Sequence, residues 1–320
     1  MNLKYIIDSE TSGKTVKYIL KKKFELSERL IKKLKHQHRI LCNSEPVYIN
    51  AIVSEHDIIE ANTDFEETCD DIIPENIPID IIFEDDNLIV INKQPDIVVH
   101  PTCAHISGTL ANAVAYHLQK KGIVKKVRPV IRLDKDTSGI IIFAKNAFSQ
   151  EYLIRQMNNK TFIKKYIGIV HGFVNEPSGT IAMPIARKPG SIMLRHISPE
   201  GDHSVTHYKV LEYLNNATVL EFRLETGRTH QIRVHCQAIN HPLIGDTLYP
   251  YLHIDETSII SNNSPCITQD NECAQKTSIL RRQALHSYQA IFEHPETKKS
   301  LELSAPIPRD INCALEILRK

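Results

Sequence analysis

The sequence predicts an α+β protein: a main domain with a large mixed, mainly antiparallel sheet flanked by helices and loops, and a small N-terminal α/β unit. Three observations predict it. From Ile81 onward short β-type runs alternate with polar turns. No βαβ rhythm with a glycine fingerprint interrupts them, which argues against a doubly wound nucleotide-binding domain. Ahead of them the charge changes sign abruptly, which separates residues 1–61 from the rest.

In residues 1–61, Val16, Ile19, Leu20 and Phe24 recur at helical spacing. Ser27 is placed to cap a second helix running through Leu30, Ile31 and Leu34. Residues 39–43 and 51–53 read as short strands. Ten Lys and Arg lie between Lys14 and Arg39, against only Glu25 and Glu28. A basic helix pair followed by short strands suits a phosphate backbone, so this unit is expected to bind nucleic acid; a solvated helix face has the same composition. Residues 62–86 hold ten acids and no Lys or Arg, and Pro74 and Pro78 break any helix, so 62–79 reads as an acidic linker. The main domain then spans 80–320. Its strand candidates are 88–91, 97–99, 140–143, 166–170 and 219–224, and its helix candidates are 109–118 and 229–239. Residues 250–281, rich in Ser, Asn and Asp, read as a polar surface insertion.

The chain has 320 residues, 42% of them hydrophobic, enough to build a core, and a net charge of +1, so any basic surface is local. Seven scattered cysteines without a CxxC pair argue against a disulfide framework or a zinc ribbon. The N-terminus lacks a signal-peptide pattern, and no apolar run reaches the roughly 20 residues of a membrane span. The expectation is a cytoplasmic protein with no membrane partner.

The most informative stretch is 131–145, Ile-Arg-Leu-Asp-Lys-Asp-Thr-Ser-Gly-Ile-Ile-Ile-Phe-Ala-Lys. Asp134 sits between Arg132 and Lys135, before a Thr137-Ser138-Gly139 turn and an apolar β-type run. Flanking cations favour an ionised carboxylate, and the strand supplies a rigid mount, as a nucleophile or base requires. A plain polar turn has the same residues. A calcium loop would need a bidentate Glu at its twelfth position, where Lys145 stands, so that reading fails. A glycosidase would need a second cooperating carboxylate, for which Asp136 is the candidate.

A second constellation, Thr226-Gly227-Arg228-Thr229-His230-Gln231-Ile232-Arg233-Val234-His235, runs from a strand end into a helix that Thr229 could cap. It places Arg228 in the turn, where a guanidinium can grip a carboxylate bidentately. His230, His235 and His241 lack a tightly spaced Cys or carboxylate, and His100, Cys103 and His105 lack paired spacing, so no metal is expected.

Taken together these residues resemble the RluA/RluD-type pseudouridine synthases over residues 80–250 and 281–309. The resemblance rests on Val90-Ile91-Asn92-Lys93, Val98-Val99-His100-Pro101, Gly108-Thr109-Leu110-Ala111-Asn112-Ala113, the Arg132–Gly139 loop, Lys165-Tyr166, Val170-His171-Gly172, Thr226–Arg233, Gly245-Asp246 and Arg282-Gln283-Ala284-Leu285-His286, in the family's order. Residues 1–61 are similar to the S-four-like RNA-binding domain often fused to these enzymes. Ile131 replaces the usual His, Asp96 replaces a common Gly, and the 250–281 insertion is longer than usual.

The resemblance implies an isomerase that converts uridine to pseudouridine in structured RNA after flipping the base out of its helix. Large-subunit ribosomal RNA is the favoured target and transfer RNA the alternative; a non-catalytic ribosome-assembly factor with this fold is the rival class. The resemblance assigns Asp134 as the catalytic carboxylate, attacking the anomeric carbon or abstracting a sugar proton. It pairs Arg228 with Asp134 and sets Tyr166 to stack on the uracil. Leu285 packs beside the base. Arg132, Lys93, Thr137, His230 and Gln231 are expected to position substrate or loop. No cofactor and no metal are implied, and a monomer is expected.

Overall fold

The computed structural model describes residues 1–65, 72–102, 105–250 and 279–320. Strands β1 (Asn2–Ile6), β2 (Ile40–Cys42), β3 (Glu45–Pro46) and β4 (Ile58–Asn62) form an antiparallel sheet in the order β1-β4-β2-β3. Helices α1 (Val16–Lys22) and α2 (Glu28–His36) connect β1 to β2. Each has a side-chain cap: Thr15 accepts from the Tyr18 amide and Ser27 from the Leu30 amide. Val16, Ile19, Leu20, Leu30, Ile31 and Leu34 are buried, as their spacing predicted; Phe24 lies beyond the last turn of α1 but is buried too. Residues 51–53 are not a strand, since only Ile52 makes an isolated bridge, to Thr15. The strands there are β1 and β4, whose half-exposed alternating residues gave a weak apolar signal.

The main domain runs β5 (Asp80–Glu84), β6 (Leu88–Lys93), α3 (Leu110–Lys120), β7 (Arg128–Pro129), β8 (Ser138–Ala144), α4 (Ala147–Asn158), β9 (Ile163–His171), β10 (Ser178–Ala182), β11 (Ile185–Arg187), β12 (Arg195–Ile197), β13 (Val205–Leu214), β14 (Ala217–Leu224), α5 (Gln231–Ala238), β15 (Leu285–Glu293), β16 (Ser300–Ser304) and α6 (Arg309–Leu318). Ten strands share one sheet, ordered β10-β13-β14-β9-β15-β8-β6-β5, with β16 on β15 and β7 on β8. Of its pairings, β8 with β15 is parallel and the others are antiparallel, so the predicted fold class holds. Strand β8 is buried along its whole length, which is why it reads as an unbroken apolar run. It meets β15 so closely that a Cβ on Gly139 would lie 2.1 Å from the Ser287 carbonyl oxygen, and Gly139 has φ 108°. Only glycine fits there.

The expected strand at 97–99 is absent. The Ile97 carbonyl accepts from the Lys93 ammonium, and the Val98 and Val99 carbonyls accept from the amides of Leu110 and Ala111 at the start of α3. The segment's hydrogen bonds are spent on these contacts rather than on a ladder. Most of the acidic stretch 62–79 is described as loop, with 66–71 outside the described residues, as are Cys103 and nearly all of the 250–281 insertion.

Helix α4 joins the two sheets. Phe148 belongs to the N-terminal core cluster. Glu151 accepts from the Ser27 hydroxyl at 2.6 Å, and Arg155 donates to the Glu25 carbonyl and carboxylate at 2.6 and 3.0 Å. At the end of β5, Glu84 gathers Lys145 at 2.8 Å, Lys121 at 2.7 Å and His117 at 2.9 Å. Burial works against its charge, but the three partners prevail and hold the carboxyl at about 2, below its ordinary 4.5. A carboxyl held low stabilises the fold above its unfolded value and loses that contribution as pH falls from about 4.5 towards about 2. Glu84→Gln is therefore expected to cost about 1–2 kcal/mol near neutrality and to flatten the acid limb of stability. Urea melts of both proteins between pH 2 and 7 read this directly; parallel acid limbs would contradict it.

Candidate active site

Asp134 lies in the turn between β7 and β8. The Thr137 amide donates to its carbonyl at 3.1 Å, and its side chain is 23% exposed, open to the surface on one side. The residues behind it fix the loop. Lys93, 1% exposed at the end of β6, donates to the carbonyls of Gln94, Ile97 and Lys135 at 2.9, 2.9 and 2.7 Å. Burial pushes its ammonium down to about 7, with Asp136 and Asp134 pulling it back up, and three carbonyls match the three N–H groups of the charged form. Of the two roles expected for Lys93, phosphate contact is ruled out by burial, and the contacts to the loop carbonyls remain. Arg282 braces the other side. Its Nη1 donates to the Asp136 carbonyl at 2.9 Å while its Nε and Nη2 grip Asp310 at the start of α6, at 2.7 and 3.0 Å. Asp136 thus contributes its backbone to the loop's support.

The partner of Asp134 is Arg233, not Arg228. Arg233 Nη1 donates to Asp134 Oδ2 at 3.3 Å. Its Nε and Nη2 make a bidentate pair with Asp246, both at 2.7 Å, and its guanidinium lies over the Tyr249 ring, 5.1 Å from the centroid. Burial disfavours the guanidinium's charge, but Asp246 and Asp134 more than offset this, and its pKa is raised. Arg228 instead reaches the Asp202 carboxylate at 3.7 Å and the His203 carbonyl at 3.3 Å, facing solvent. The reason is where the helix begins. Thr229 does not cap it; His230, at φ 58°, is the residue before the first turn, and α5 starts at Gln231. This leaves Arg228 in the turn, outside the helix, and sets Arg233 in its first turn, inside.

The other expected site residues separate into two groups. His230 faces Asp134, with Nε2 4.0 Å from Oδ2 and Nδ1 2.8 Å from the Tyr249 hydroxyl; burial lowers its pKa, against the pull of Asp134. Tyr166 on β9 is 5% exposed and packs in the core cluster with Leu285. Burial drives its phenol well above the ordinary value, a hydrogen bond with Ser287 works against this, and the charge of Asp134 adds to it. A phenol so placed stays protonated near neutrality. Thr137 and Gln231, by contrast, are engaged elsewhere. The Thr137 hydroxyl accepts from Gln283 at 3.2 Å. Gln231 donates to the Val205 carbonyl and the Thr206 hydroxyl and accepts from the Thr226 hydroxyl and the Arg228 amide, which uses its amide fully. Both are buried and hold loops rather than face a substrate. Arg132 is exposed and free of ion pairs among the described residues.

Sequence reasoning missed Asp246, Tyr249, Arg282 and Asp310 as site residues. Asp246 carried a usable signal in the Gly245-Asp246 motif, and the structure shows its side chain 0% exposed against Arg233, the cation its burial requires.

A family model described as RNA pseudouridylate synthase matches residues 87–238, and one described as the RluD ribosomal pseudouridine synthase N-terminal domain matches residues 3–59. The chain is 36% identical over 313 residues to the uncharacterized RNA pseudouridine synthase YhcT of Bacillus subtilis, covering 97% of this chain and 95% of that one. It is 37% identical over 310 residues to the ribosomal large subunit pseudouridine synthase D of Buchnera aphidicola, covering 94% and 93%. Among solved structures, human RNA pseudouridylate synthase domain containing 4 shares the fold, with a TM-score of 0.56 and 23% identity over 75% of this chain and 93% of that one. The chain belongs to the RNA pseudouridine synthase family, of the RluA/RluD type, and is an isomerase acting on RNA.

Proposed function

We propose that this protein isomerises uridine in large-subunit ribosomal RNA, with Asp134 as the catalytic carboxylate, acting in the cytoplasm as a monomer. The observation that carries the assignment is the Asp134–Arg233–Asp246 chain: one carboxylate open to solvent, aimed by a guanidinium that a buried carboxylate holds. The reaction breaks the N1–C1′ bond of uridine and joins C1′ to C5; C5 gives up its proton and the freed N1 takes one up, so atoms and charge balance without a redox partner. Asp134 supplies the one negative group the sugar needs, either bonding to C1′ or taking a sugar proton. Arg233 is a positioning residue that keeps the carboxylate ionised and directed. Tyr166, protonated and walled in beside Leu285, offers its ring to the uracil rather than acting as a base. The relatives named as large-subunit enzymes support the choice of RNA.

In this reading residues 1–61 grip the RNA backbone, 62–79 link, and 80–320 carry out the reaction. Arg29, Lys32 and Lys35 recur along one exposed side of α2 without an acidic partner among the described residues. Replacing all three with Gln is expected to flatten the dependence of log affinity on log salt by about 2–3. Filter binding from 50 to 300 mM salt measures it, and an unchanged slope would remove the N-terminal unit from RNA binding. Mapping pseudouridines in a deletion strain tests the target. Loss of a site in large-subunit RNA is expected; loss confined to transfer RNA, or none at all, would overturn the proposal.

A further inference from the structure

Close to Asp134 the surface folds into a cleft of about 490 Å³ whose lining includes Arg132, Arg187, Arg195 and Arg228 against Glu200 and Asp202. Two of its arginines are set in an unfavourable arrangement. Arg187 and Arg195 are direct partners across the β11–β12 ribbon, on one face of it. Like charges directly opposite in a sheet cost stability. No carboxylate relieves them, since neither has an ion pair among the described residues. Arg195 spends one guanidinium nitrogen on the carbonyls of the hairpin turn, at Ile192, Met193 and Leu194, which fixes its position.

The same ribbon is tied to the reacting end of the molecule. The Arg195 amide donates to the Tyr249 hydroxyl at 2.9 Å, that hydroxyl meets His230 at 2.8 Å, and His230 faces Asp134. The Arg228–Asp202 pair is long, at 3.7 Å, and exposed on both sides, so it is worth little and readily exchanged. A site that keeps several guanidinium groups together, underpaired and concave, is built for an anion with several oxygens.

We propose that this cleft holds a backbone phosphodiester of the RNA strand flanking the uridine under reaction. Arg187 and Arg195 grip its oxygens, and Arg228 leaves Asp202 to join them. The assignment rests on the reading of the protein as an RNA isomerase and adds to it the grip on the strand next to the reacting sugar.

The test compares wild type, R187Q/R195Q, R187K/R195K and the remote surface variant K120Q on an unmodified large-subunit ribosomal RNA transcript. Filter binding over a salt series is run beside steady-state pseudouridine formation. R187Q/R195Q is expected to raise KM on the order of tenfold or more, with a much smaller change in kcat, as loss of charge-assisted contacts to a bound strand would. Its salt slope should fall by about 0.7, the single-strand value for one phosphate contact. R187K/R195K should recover the slope but only part of the KM, because Lys supplies charge without the fork. An R187Q/R195Q slope and KM no different from those of K120Q would overturn the cleft assignment. A wild type that binds the transcript but forms no pseudouridine in it sinks the ribosomal-RNA reading instead, and the binding slopes still decide the cleft.

Discussion

Asp134→Asn is expected to abolish pseudouridine formation, by ~10⁴-fold or more, the scale seen when a reacting group is removed. The substitution changes one oxygen to an amide nitrogen and barely alters shape. The support beneath the loop is untouched, because Lys93 and Arg282 hold backbone carbonyls of Lys135 and Asp136 rather than the Asp134 side chain. Folding should therefore be retained, and RNA affinity should stay within a few-fold, since the basic contacts lie elsewhere. Either chemical route at the sugar needs the negative charge, so the outcome is the same for both. Release of tritium from 5-labelled uridine in a transcript reads turnover, and filter binding reads affinity. Substantial turnover by the purified variant would remove Asp134 from the chemistry.

The second large effect belongs to Arg233. Arg233→Gln strands the Asp246 carboxylate in the interior, and breaking one side of a buried pair costs about 3–5 kcal/mol. It also leaves Asp134 without its guanidinium, so stability and turnover should fall together, and one variant cannot apportion them. Arg233→Met with Asp246→Leu removes both charges and fills the space with apolar groups, a replacement that is often neutral for stability. The double variant is expected to melt far closer to wild type than R233Q does while turnover stays depressed. Recovery of turnover alongside stability would mean that Arg233 serves only the fold.

Local signals in the sequence were read correctly where they decide local structure. Ser27 caps α2 as its position before Leu30, Ile31 and Leu34 implied, and the helix expected over 109–118 is α3. The unbroken apolar run 140–143 became the buried strand β8. The Asp134 turn, Tyr166 and the Thr226–Arg233 segment were all picked out, and His230 and Arg233 of that segment do converge on Asp134. What sequence could not supply was the exact start of α5. A cap at Thr229 and a left-handed residue at His230 leave nearly the same trace in the sequence, yet the difference decides which arginine turns inward. For Lys93 the phosphate role fell and the loop role stood. Lysine is almost always a surface residue, and nothing local announces that the Lys135 carbonyl of the Asp134 loop joins two carbonyls of the following segment around this one. Arg282 stood in a family motif and Asp310 in none, and neither role was legible, because both depend on contacts to a turn almost 150 residues earlier.

Helix α4 gives the molecule a built-in caliper. Because Phe148 completes the core of the N-terminal unit and Arg155 and Glu151 latch its loops, the basic side of α2 stands at a set span from Asp134. Under the proposed reading, in which the N-terminal unit grips the RNA, a substrate would present its backbone at one jaw and a displaceable uridine at the other. Selection would then follow from distance within a folded RNA rather than from letters around the target. Loosening the latch would widen the choice of uridines before it slowed the reaction on any one of them.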